Sequence, residues 1–179
     1  MKTSTLPRVI AAFVVAILVA TVFGSLVQTH YNLQALATLG VDLQGVRAGA
    51  MARDVFSGFT PTYGGYIVAP ALLVAFAVAS LLVNRVPSLH AGAVRTGLFV
   101  LGGYLAIAAA IPIVNWLSPV ALLVGASRET SAIFAMAGGG ALAGLVFAVM
   151  TAGPRRPASE RIETLLPSQP HLTEPSMRG

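Results

Sequence analysis

Four stretches of this chain, Val9–Val27, Tyr66–Val83, Thr96–Val114 and Ser131–Met150, contain no Asp, Glu, Lys, Arg or His. Each is long enough to cross a hydrocarbon core, which takes about 20 helical residues at a rise of about 1.5 Å each. The expected fold is an all-α integral membrane protein with four transmembrane helices in an antiparallel bundle, spanning about 8–29, 61–84, 95–114 and 130–151. Residues 1–152 form one four-span membrane domain in this reading. Only 9% of the residues are charged and 56% are hydrophobic, against about 25% charged in a soluble domain. The spans leave no room for a separate soluble domain.

The positions of the basic residues orient the bundle. Lys2, Arg8, Arg85, Arg95, Arg155 and Arg156 fall near span ends on one side, and Arg47, Arg53 and Arg128 on the other. This bias is the one expected of cytoplasmic loops and predicts both termini in the cytoplasm. The net charge of +5 thus records topology. A nucleic-acid role would need a dense basic patch with stacking aromatics, and none is present. Lys2 is the only lysine among eleven basic residues. With the abundance of Ala, Gly and Val, that bias points to a GC-rich bacterial genome and an inner-membrane location. Lys2 and Arg8 ahead of Val9–Phe23 also resemble the start of a signal peptide, with Val22-Phe23-Gly24 as a tolerable cleavage site. The apolar run continues to Val27, which favours an uncleaved first span.

Between the spans, turn chemistry sets the boundaries. The first helix stays helix-compatible past the membrane until Gly40, which suits a left-handed C-cap. Asp42 suits an N-cap for a short extra-membrane helix over about Leu43–Phe56 in the first outer loop. Its amphipathicity reads as poor, because Leu43, Val46 and Ala50 share a face with Arg47 and Asp54. Thr60-Pro61 reads as an N-cap followed by proline at the first helical position, and Gly64, Gly65 and Pro70 would let the second span bend. Ser118-Pro119 is a further N-cap signal, predicting a short interfacial turn over Val120–Val124. The segment 153–179, with Pro157, Pro167, Pro170 and Pro175, reads as a disordered cytoplasmic tail.

Two sets of residues stand out. Gly102, Ala106 and Ala110 in span three, and Gly140, Gly144 and Ala148 in span four, recur at four-residue spacing. Such stripes let helices approach closely in lipid, within the bundle or against another subunit. On the outer face, Arg47, Arg53, Asp54, Tyr63, Tyr66, Trp116 and Arg128 are candidate partner or ligand contacts, with His30, Asp42, Asn115 and Glu129 nearby. Solvated loop charges are the plainer account of these groups.

Catalytic, cofactor and metal residues are not expected. The chain has no cysteine, which excludes disulfides and thiolate sites. His30 and His90 fall at opposite ends of the bundle, and neither has a partner at metal-ligand spacing. Ser127 lacks a local base and does not match a nucleophile elbow. Gly138–Gly140 lies mid-span without the Lys-Ser/Thr pair of a phosphate loop. Quinone-linked disulfide oxidases need cysteine pairs, and small multidrug exporters need a glutamate in the first span. Cytochrome b-type anchors need facing histidines within the bilayer, and none of these features occurs here. The spans offer Thr21, Ser25, Ser80 and Tyr104 as polar side chains. The expected role is that of a non-enzymatic accessory, assembly or structural subunit acting by helix–helix association, its partners the lipid bilayer and other membrane subunits or itself. The alternative is a small transporter for an apolar or weakly polar solute, motivated by the Pro70 and Pro112 kinks.

Overall fold

The computed structural model describes residues 5–43, 45–56, 59–117 and 129–152. The elements are α1 (Thr5–Thr38), α2 (Arg47–Phe56), α3 (Phe59–Thr62), a π-turn (Tyr63–Val68), α4 (Ala69–Arg85), a 3-10 turn (Pro87–His90), α5 (Gly92–Leu117) and α6 (Thr130–Thr151). Four helical segments, Leu6–Thr38, Thr60–Arg85, Gly92–Leu117 and Thr130–Thr151, are long and apolar enough to cross a membrane. The tail from 153, the segment holding Ser118-Pro119, Val120–Val124, Ser127 and Arg128, and Lys2 lie outside the described residues.

Local chemistry explains the boundaries. α1 ends in a Schellman motif: Gly40 takes φ +81°, the Val41 N–H donates to the Leu36 carbonyl at 3.3 Å and the Gly40 N–H to Ala37 at 3.0 Å. Its 34 residues extend about 51 Å, well beyond the hydrocarbon thickness. α2 starts at Arg47 instead of Leu43, because Gly45 adopts φ +76°, a left-handed conformation that interrupts a helix. α2 is also better sided than its sequence reads. Ala50, Met51, Asp54 and Val55 are half-buried, while Arg47, Ala48, Ala52 and Arg53 are exposed, and the helix lies against α1.

Thr60 sits inside the first turn of α3, not at its cap, and its hydroxyl donates to the Asp54 carbonyl at 2.9 Å. The bend expected from Gly64, Gly65 and Pro70 takes the form of the π-turn, in which the Ala69 N–H donates to the carbonyl of Gly64. Pro70 has no N–H, and in an α-helix its ring would strike the carbonyl four residues back. A widened turn relieves that clash.

α6 lies between α1 and α5, and α4 packs on α5. α1 meets the second span mainly through α3 and the π-turn. α5 and α6 run in opposite directions: Gly103 of α5 faces Gly140 of α6, and Phe99 faces Gly144. The core differs between the two ends. Toward the end bearing Arg8 and Arg95, it is built from Phe13, Phe76, Phe99 and Phe147, with Phe76 and Phe147 stacked at 4.6 Å and Phe99 5.1 Å from Phe147. Such aromatic pairs contribute about 0.5–1.5 kcal/mol beyond their buried area. Further along, toward the end where α2 sits, the helices close on glycines. Gly139 of α6 faces the Ala20 carbonyl and Phe23 of α1, while Gly140 and Gly144 lie against the backbone of α5. The run of consecutive glycines therefore serves two neighbouring helices at once. On α5 the close approach uses Gly103, one residue beyond the Gly102, Ala106, Ala110 row. That row is half-buried, and the nearest atom to a Cβ on Gly102 would be the Ala75 carbonyl of α4, at 4.0 Å.

Candidate functional site

The most unusual chemistry lies on one face of α1. Thr21, Ser25, Gln28 and Thr29 recur at helical spacing and are 3%, 0%, 7% and 2% exposed. They point into the protein in the half nearer α2. Opposite them stands the π-turn: the Tyr63 ring rests on Gly24, and a Cβ on Gly64 would come within 2.9 Å of Thr21 Oγ1. Glycine at 24 and 64 is what lets a tyrosine and a threonine hydroxyl occupy this contact. Tyr63 itself is 1% exposed.

The row ends at α2. Thr29 Oγ1 lies 2.7 Å from Asp54 Oδ2 and 2.9 Å from the Ser25 carbonyl. A hydroxyl has one proton, and the charged, nearer acceptor takes it. With the Thr60 bond, this ties α2 to both α1 and α3. Thr21 Oγ1, Ser25 Oγ and Gln28 Oε1, by contrast, are buried without a hydrogen-bond partner among the described residues.

The candidate contacts disperse around this row. Tyr63 and Asp54 turn inward toward α1. Tyr66 and Trp116 point outward, 79% and 82% exposed, as aromatic side chains at a membrane interface do. Arg53 is exposed. Arg47 stands between two open recesses, one of about 550 Å³ with Asp42 and Leu43, the other of about 540 Å³ with Gln34, Thr38 and Glu129. Arg128 lies outside the described residues. His30 is exposed and packs edge-on against Tyr31. The helix-packing set is gathered within the chain: Gly140, Gly144 and Ala148 are buried, and both glycines contact α5.

Sequence reading noted Thr21 and Ser25 but missed their continuation to Gln28 and Thr29. The signal was available in the spacing: positions 21, 25, 28 and 29 follow the helical period.

Removing the Asp54 carboxylate tests the α2 tie. Asp54→Ala is expected to cost about 1–2 kcal/mol, the scale of one hydrogen bond to a charged group that is not fully buried. Amide exchange should accelerate across Arg47–Phe56 and stay unchanged in α6. Unaltered exchange in α2 would show that the bond does not hold it. The chain matches no known protein family, no curated protein and no solved structure.

Proposed function

We propose that this chain is a four-span protein of the bacterial inner membrane that works without catalysis, as an accessory or assembly subunit associating with other membrane helices. In this arrangement the bundle is antiparallel, both termini are cytoplasmic, and α2 lies outside. The basic residues support the orientation, with Arg8, Arg85 and Arg95 at one end and Arg47 and Arg53 at the other.

The observation that carries the association reading is a seam between α1 and α4. Their halves distant from α2 part, leaving an apolar groove of about 250 Å³ lined by Val9, Ile10, Phe13, Leu73, Phe76, Ala77, Ser80 and Phe147. The glycine faces of α6 are filled by α1 and α5, so the seam is the better candidate for a partner helix. A photo-crosslinker at Leu73 is expected to yield a discrete protein adduct in cells, and one at Leu101, equally exposed on α5, none. Adducts with lipid alone from position 73 would overturn the reading.

A second reading, a pathway for a weakly polar solute, draws support from the buried polar face of α1 beside the π-turn. Solute flux into vesicles carrying the protein would favour it.

A further inference from the structure

Three atoms on α1, Thr21 Oγ1, Ser25 Oγ and Gln28 Oε1, are buried in a part of the chain apolar enough to span a membrane, and none has a hydrogen-bond partner among the described residues. Unmet polar groups are costly in hydrocarbon, where no solvent can satisfy them. The adjoining Thr29 hydroxyl shows that this face can meet its needs through a neighbour, since it reaches Asp54. The three residues follow one another at intervals of four and three, which places successive Cβ atoms about 5–6 Å apart. Orphaned buried polar atoms in sequence along one helix face call for a small molecule that can both donate and accept. Gln28 Oε1 only accepts, whereas the two hydroxyls both donate and accept. This set suits a neutral ligand, because a bare cation would need compensating charge in a low-dielectric interior.

We propose that this face binds internal water, held between α1 and the π-turn by Thr21, Ser25 and Gln28. The site is independent of any partner at the α1–α4 seam. Its floor is Thr21, beyond which α1 turns alanine toward the core at Ala20, Ala16 and Ala12.

The test uses the full chain in lipid nanodiscs. Thr21→Val and Ser25→Ala remove one hydroxyl each with little change of shape. If the hydroxyls hold water, each substitution strands it, and the melting temperature is expected to fall by roughly 2–4 °C. If they are unmet, removing them relieves a penalty, and an equal or higher melting temperature would overturn the proposal. X-ray radiolytic labelling supplies a second readout: bound water should label the buried Tyr63 in the wild-type chain and markedly less in Ser25→Ala. Tyr63 labelling unchanged by either substitution would also overturn it. So would a melting temperature raised by sodium but not by choline, which would assign the oxygens to a cation.

Discussion

Gly144→Leu is expected to leave no folded protein in mild detergent, and Gly140→Leu the same. A Cβ at 144 would collide with the carbonyl of Phe99, and one at 140 with the carbonyl of Gly103. Both obstacles are backbone, so no rotamer change relieves them, and α5 and α6 would have to move apart. Separation opens the stack of Phe76, Phe99 and Phe147 that bridges the helices, so the loss extends beyond the point of collision. Even Gly144→Ala should cost about 3 kcal/mol, the upper part of the usual range for overpacking. Controls come from the same helices. Nothing lies within 4 Å of a Cβ on Gly97, and Gly102 has its nearest neighbour at 4.0 Å. Gly97→Ala should be neutral or stabilising by about 0.5–1 kcal/mol through helix propensity. Folded fraction during denaturant titration, measured for all four variants, checks the set. Wild-type behaviour of Gly144→Leu would mean that α5 and α6 do not meet there.

The glycine spacing in span four was legible because small residues recur on one helical face, but its targets were not. Which helices fill the groove is decided by residues distant in sequence, Phe99 and Gly103 on α5 and Ala20 and Phe23 on α1, and short loops constrain only immediate neighbours. Span three shows the same limit: Gly102 and Gly103 are adjacent and equally small, and only the rotation of α5 selects the second. The long apolar segments and the end of α1 were readable because their causes are local, namely the absence of charge and the left-handed glycine at Gly40. The start of α2 was misread for want of weight on a second such glycine, Gly45. At the candidate site, the charges and aromatic rings drew attention by their chemistry. Tertiary packing then sent Tyr63 inward and Tyr66 outward, although they lie three residues apart. Within a π-turn, helical spacing is no guide to which residues share a face.

Two arginines that the sequence marks as topological signals have a second role, and their removal has the other large expected effect. Arg8 Nε donates to the Met150 carbonyl at 2.6 Å, and its Nη2 to Ala152 at 2.6 Å. Arg95 Nη1 donates to the Ala148 carbonyl at 2.9 Å, and its Nη2 to Thr151 Oγ1 at 2.6 Å. The Thr151 hydroxyl passes its own proton to the Phe147 carbonyl. The last carbonyls of a helix lack intrahelical partners and carry partial negative charge. Here the starts of α1 and α5 supply cations to the end of α6 from both sides. Arg95 also stands 5.0 Å over the Phe99 ring, a favourable cation–π distance. Arg95→Met is expected to cost about 2–4 kcal/mol, from two charge-assisted hydrogen bonds and the ring contact. Arg8→Met should cost less, about 1–2 kcal/mol, because Arg8 is exposed. The double variant should lose less than the sum, since a frayed α6 terminus forfeits both sets of bonds. Arg95→Lys separates the clamp from topology: lysine keeps the charge on which the proposed orientation rests but lacks the planar fork that reaches two acceptors. Its melting temperature should therefore stay closer to that of Arg95→Met than to the wild type, with membrane orientation unchanged. A lysine variant as stable as the wild type would reduce Arg95 to a topological charge.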